Sequence, residues 1–185
     1  ISVSIFIGFP ADGTPVIVKA FEWFTIGGIQ VNFGFQIDQL SLMMMMIVTG
    51  IGSLIHLYSI GYMSHDKGFY KFFTYLNLFI FSMLLLVMGS NYLILFIGWE
   101  GVGLCSYLLI GFWYENTEYG KAARKAFIMN RIGDLGFLIG MFIIAALFST
   151  LNYAEIKSAV ASGDANSALL GLAALCLFIG ACGKS

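Results

Sequence analysis

Charge is scarce in this sequence: Asp, Glu, Lys and Arg make up only 10% of its 185 residues, where a soluble domain carries about a quarter. So few charges cannot cover a water-facing surface. This excludes a free-standing soluble globule and makes lipid the solvent for most of the chain. The net charge of −1 implies neither a nucleic acid nor an acidic substrate. Proline is almost absent; Pro10 and Pro15 fall in one early loop, so no proline interrupts a helix after it. Cysteine is sparse as well. Cys105, Cys176 and Cys182 each lie in an apolar run without a Cys-x-x-Cys partner or a nearby His, which argues for small buried hydrophobes and against a metal site. No dinucleotide-binding glycine loop, P-loop, haem ligand set or iron–sulfur ligand set is present. No redox centre and no bound cofactor are therefore expected in this chain. A basic start and a small-residue cleavage site are also missing, so no signal peptide is read at the beginning. The chain starts without Met and ends two residues after an apolar run, and is expected to belong to something longer.

Hydrophobic residues make up 59% of the sequence, with a mean hydropathy of +0.91. Five apolar stretches, at 39–61, 72–90, 92–113, 122–148 and 167–185, approach or exceed the roughly 20 residues needed to cross a hydrocarbon core. Their length makes them helices rather than strands. The fold class is thus an all-α polytopic membrane protein, a bundle of about five transmembrane helices over 39–185. Residues 1–38 are read as an extracytoplasmic loop. Within it Val31, Phe33, Phe35 and Ile37 alternate with polar or small residues, behind a Gly27-Gly28 turn, and 16–37 reads as an extramembrane β-hairpin. The polar connection 149–166 has room for a short surface helix. The connections at 62–71 and 114–125 hold Lys67, Lys71, Lys121, Arg124 and Lys125, against Lys19 and Lys157 on the opposite side. The basic excess places the first pair in the cytoplasm and the hairpin outside.

Glu100, Arg131, Asp134 and Lys184 fall inside apolar spans, where a charge costs on the order of 2.5–3.5 kcal/mol at mid-membrane. They are the candidate site residues. Glu100, Gly103, Tyr107 and Gly111 recur at helical spacing as a small and polar stripe. Arg131 stands one turn from Asp134, a spacing that suggests an ion pair within one helix. Lys184 follows Gly180 and Gly183, so its helix is expected to weaken where the cation sits. Burial disfavours either charge and a nearby opposite charge restores it. A Glu–Lys pair can therefore exchange a proton after a small change in separation or hydration. His56 reads as a packed imidazole, His65 as a solvated loop residue and Met43–Met46 as lipid-facing filler. Trp99, Trp113 and Tyr114 read as ordinary aromatics, the last two in an interfacial belt.

Four runs carry a resemblance: Asp38-Gln39-Leu40-Ser41-Leu42 after the hairpin, Gly98-Trp99-Glu100-Gly101-Val102-Gly103-Leu104-Cys105-Ser106-Tyr107, Asn130-Arg131-Ile132-Gly133-Asp134, and Gly183-Lys184-Ser185. Together they resemble the large antiporter-like subunits of respiratory complex I (NADH–quinone oxidoreductase), from about residue 30 to the end. The resemblance implies a proton-translocating subunit of the membrane arm, coupled to electron transfer from NADH to quinone in other subunits. It implies that Glu100 is the family's mid-membrane glutamate, Lys184 its lysine in a discontinuous helix, and Asp134 and Arg131 accessory charges. NADH, flavin, iron–sulfur clusters and quinone would then reside in partner subunits, within a bacterial inner membrane rather than a mitochondrial one. The large subunits of multisubunit cation/proton antiporters share the glutamate and lysine and form the alternative. A structural membrane scaffold with paired charges is a third reading.

Overall fold

A computed structural model of the chain describes residues 1–163 and 166–184. Asp164 of the polar connection and Ser185 of the last motif lie outside the described residues. In chain order the elements are α1 (Ser2–Gly8), β1 (Val16–Ile26), β2 (Ile29–Ile37), α2 (Gln39–Tyr62), α3 (Phe69–Met88), α4 (Tyr92–Ile110), α5 (Thr117–Phe148), α6 (Tyr153–Ala161) and α7 (Ser167–Lys184). Five of these helices, α2, α3, α4, α5 and α7, are long and apolar enough to cross a membrane. Helix α6 is the short helix for which the 149–166 connection had room. Helix α1 was not anticipated, since no helical pattern distinguishes Ser2–Gly8 from the loop that follows it.

The hairpin forms as its turn chemistry demands. Gly27 and Gly28 have φ of 58° and 88°, the positive angles that a two-residue turn matching strand twist requires. β1 and β2 pair antiparallel from Ile26↔Ile29 to Val16↔Ile37, with register shifts after Lys19 and Glu22. Phe21 stacks on Phe33 at 5.2 Å across the strands. The chain then enters α2 through a reciprocal cap: Asp38 accepts from the Ser41 amide at 2.8 Å, and the Ser41 hydroxyl accepts from the Asp38 amide at 2.7 Å. Asn91, fully buried, caps α4 by accepting from the Ile94 amide at 2.9 Å. Its own amide group donates to the Asn32 carbonyl on β2 at 2.8 Å. One side chain thus starts a helix and ties it to the hairpin.

The connections sort into two ends. The Ser90 amide donates to the Gly34 carbonyl, the Tyr92 amide to the Leu151 carbonyl and the Tyr153 amide to the Ser90 carbonyl. The hairpin, the α3–α4 turn and the α5–α6 turn therefore meet at one end. At the other end the Trp113 indole donates to Asp66 at 2.8 Å, joining the α2–α3 and α4–α5 connections. The lysine-bearing connections share a face, opposite the hairpin.

Helices α3 and α4 pair closely, as do α5 and α7, and glycine explains both approaches. A Cβ on Gly98 would stand 2.4 Å from the Leu86 amide nitrogen, and one on Gly133 would stand 2.7 Å from the Gly183 Cα. A Cβ on Gly180 would meet Phe137. Helix α7 is described as far as Lys184, and its Gly180 and Gly183 form contact surface for α5. Large apolar side chains such as Leu57, Ile132, Leu135 and Phe178 remain exposed, as expected where lipid is the solvent. Two smaller expectations also change. Met45 is buried within the Met run, while Cys182 is exposed and only Cys105 is a fully buried cysteine.

Candidate functional site

Glu100 stands eight residues after Tyr92 and ten before Ile110, about 12 and 15 Å from the two ends of α4. Its neighbours come from α5 and α7. The Arg131 guanidinium reaches across from α5 to Glu100 Oε2 at 2.6 Å. The same guanidinium lies 4.9 Å from the Phe127 ring centre, one turn back on its own helix. Glu100 Oε1 is buried and has no hydrogen-bond partner among the described residues.

Asp134, 4% exposed, does not pair with Arg131. Its carboxylate accepts from the Trp99 indole N–H at 2.7 Å. The expected intrahelical ion pair is therefore absent, and side-chain direction gives the reason. Helical side chains lean toward the N-terminus of their helix, so Arg131 extends toward Phe127 and α4, away from Asp134. Asp134 lies beside Gly133, on the tightly packed side of α5, and takes the donor that faces it.

Lys184 arrives from α7. Its ammonium donates to the Trp99 main-chain carbonyl at 2.6 Å and lies 5.1 Å from the Trp99 ring centre. A Cβ on Gly103 would come within 2.9 Å of this ammonium, so Gly103 leaves the space that the lysine head occupies. The Trp99 ring is itself held by stacking on Phe137 at 5.4 Å. The four charges proposed from sequence thus gather around one stretch of α4, in a different pairing. Glu100 holds Arg131, while Trp99 holds Asp134 with its side chain and Lys184 with its main chain.

Trp99 is the residue that sequence reasoning passed over. A usable signal existed: a tryptophan buried within an apolar span must find an acceptor for its N–H, and few acceptors exist in such spans. His56 lies away from the cluster. Its Nδ1 meets the Gly52 carbonyl on its own helix at 2.7 Å, and its ring faces Phe73 at 5.9 Å. Its Nε2 is buried without a partner among the described residues. No group of three or more His, Cys, Asp or Glu side chains placed to hold a metal ion occurs among the described residues.

Comparison with known proteins accounts for most of the chain. Residues 23–73 match the family described as NADH-ubiquinone oxidoreductase (complex I), chain 5 N-terminus. Residues 89–185, including all four charged site residues, match the NADH:quinone oxidoreductase/Mrp antiporter transmembrane family. The chain belongs to the NADH:quinone oxidoreductase/Mrp antiporter family. Within this oxidoreductase/antiporter family, NADH-quinone oxidoreductase subunit L of Campylobacter jejuni is 58% identical over 168 residues, covering 91% of this chain and 27% of that protein. The subunit L of Mycobacterium tuberculosis is 52% identical over 167 residues, covering 90% of this chain and 26% of that protein. The chain spans about a quarter of the length of these curated relatives. Among solved structures, the Mrp complex from Dietzia sp. DQ12-45-1b matches all of this chain and 19% of its own, with a TM-score of 0.82 and 27% identity. An archaeal membrane-bound sulfane sulfur reductase matches 97% of this chain and 35% of its own, with a TM-score of 0.75 at 18% identity, a likeness of fold alone. Family membership and five membrane-length helices together make this a multi-pass membrane protein.

Proposed function

We propose that this chain is part of the proton-translocating, subunit L-like component of a bacterial NADH:quinone oxidoreductase, and that Glu100 and Lys184 pass the proton. One observation carries the reading: a mid-membrane glutamate tied to Arg131 through one oxygen keeps its other oxygen without a donor, and the residue before it holds a lysine. An ion pair in a low-dielectric span is strong, and a fully satisfied pair would be inert. Here Glu100 Oε1 is open to a proton. Protonation there cancels the charge that attracts Arg131. Once the Lys184 ammonium has passed its own proton onward, transfer from the Glu100 carboxyl to the resulting amine turns two neutral groups back into carboxylate and ammonium, with the net charge of the pair unchanged. Asp134 and Arg131 set the local field in which this exchange occurs.

Under this proposal the basic connections face the cytoplasm and residues 1–38 lie outside as a separate extramembrane unit. NADH, flavin, iron–sulfur clusters and quinone act in partner subunits of the membrane-bound complex. The bacterial subunit L relatives support a bacterial inner membrane as its location. The second reading, a subunit of a multisubunit cation/proton antiporter, is favoured by the Mrp match over the whole chain.

The test is Glu100→Gln in the full-length protein, assembled in its complex and reconstituted in vesicles. NADH oxidation by a soluble acceptor should persist while quinone-linked acidification falls. Normal acidification in a fully assembled variant would refute the proton role and leave the charges as static scaffolding. Cation-driven proton exchange without NADH would select the antiporter reading.

A further inference from the structure

Two charges of the site are held by neutral groups of one residue. The indole N–H of Trp99 donates to Asp134, and the Trp99 carbonyl accepts from Lys184. An aspartate and a lysine sharing a neighbour in a low-dielectric span would otherwise be drawn into a direct ion pair. A buried pair of that kind is difficult to separate. We infer that Trp99 is the positioning residue of this site, a neutral bracket that keeps Asp134 and Lys184 apart so that each charge stays free to respond to Glu100.

Several features make a bracket and not merely a packed aromatic. Both polar contacts are short, at 2.7 and 2.6 Å, and they use opposite kinds of group, one donor and one acceptor. The ring face is turned to the ammonium, 5.1 Å away, so dipole and quadrupole both help to hold the lysine. Stacking on Phe137 fixes the indole plane, and Gly103 clears the lysine's seat.

The inference rests on the proton-transfer reading of Glu100 and Lys184, and its test separates the two. Trp99→Phe retains a smaller aromatic ring for Phe137 and Lys184, leaves the main-chain carbonyl in place, and removes the indole donor together with part of the ring. In the assembled complex this variant should pump about tenfold more slowly, the factor corresponding to ~1.4 kcal/mol, near the lower end for a hydrogen bond to a charged group. NADH oxidation with a soluble acceptor should be unchanged. The decisive readout is a double-mutant cycle with Asp134→Asn. If Trp99 acts by holding Asp134, then Trp99→Phe adds nothing in the Asp134→Asn background, whereas a packing role gives additive losses. Additive losses, or wild-type pumping by Trp99→Phe in a complex that Glu100→Gln inactivates, would overturn the bracket and leave the Glu100 role standing. Normal pumping by Glu100→Gln would instead remove the underlying reading.

Discussion

Arg131 on α5 pairs with Glu100 on α4 at 2.6 Å and leaves Asp134, one turn away on its own helix, to Trp99. The ionic contact among the site residues is therefore interhelical, joining α4 to α5. Removing one partner of such a pair strands the other charge, which is worse than removing both. Arg131→Gln in the full-length protein should lower the amount of assembled complex severalfold. The double change Arg131→Gln with Glu100→Gln should assemble better than Arg131→Gln alone, although it will not pump. Quantifying the complex on native gels decides this; a double variant that assembles worse than the single one would show that the pair is not what makes the charges tolerable.

Glycine sets the distance between the site helices. Gly98→Ala would drive a Cβ to 2.4 Å from the Leu86 amide nitrogen, and Gly133→Ala to 2.7 Å from the Gly183 Cα. Both contacts are main chain and cannot swing aside. Each change should cost about 1–3 kcal/mol, typical of overpacking, and lower the temperature at which detergent-solubilised protein loses its fold. Gly50→Ala meets nothing within 4 Å and should be neutral or slightly stabilising. Equal effects at all three positions would contradict the close approach.

The two connections on the basic face are tied by Asp66. The Trp113 indole and the Gly68 amide donate to its two oxygens, and these bonds hold its carboxyl below the usual range. Because the folded-state value is depressed, the tie is present above the ordinary carboxylate pKa of about 4 and is lost as pH falls through the lower folded value. Amide protection in 63–68 and 111–116, measured against the intrinsic exchange rate at each pH, should hold from pH 5 to 8 and fall only below about pH 4. At neutral pH, Trp113→Phe should produce the same loss of protection. Unchanged exchange in that variant would mean that other contacts join these loops.

The shared face of those connections also yields a topology test. Reporters inserted at 63–68 and at 111–116 should give the same location, the cytoplasm, and one inserted in 154–163 should give the opposite side. Reporters in the two basic connections that disagree would contradict the helix count itself, whereas a joint reversal would contradict only the orientation drawn from lysine and arginine.

The sequence by itself determined that there are five membrane-length helices among the described residues, because hydrocarbon thickness admits apolar runs of only certain lengths; their limits shifted, with α5 beginning at Thr117 and not at 122, and α4 ending at Ile110 and not at 113. The hairpin was legible too, since Gly27-Gly28 followed by the alternation of Val31, Phe33, Phe35 and Ile37 leaves few other conformations. So were the four charges of the site, because each is costly where it stands and must have a use. Which charge meets which was not legible. Spacing within α5 suggested Arg131 with Asp134, but the partner is chosen by where α4 and α7 lie and by the lean of each side chain. Gly180 and Gly183 pose a similar problem: their spacing along the chain does not show that they pack against Phe137 and Gly133 of α5. Trp99 is the clearest case. One-dimensional reading sees a large apolar side chain next to a glutamate, whereas its N–H and its carbonyl acquire meaning only when Asp134 and Lys184 are brought to them from two other helices.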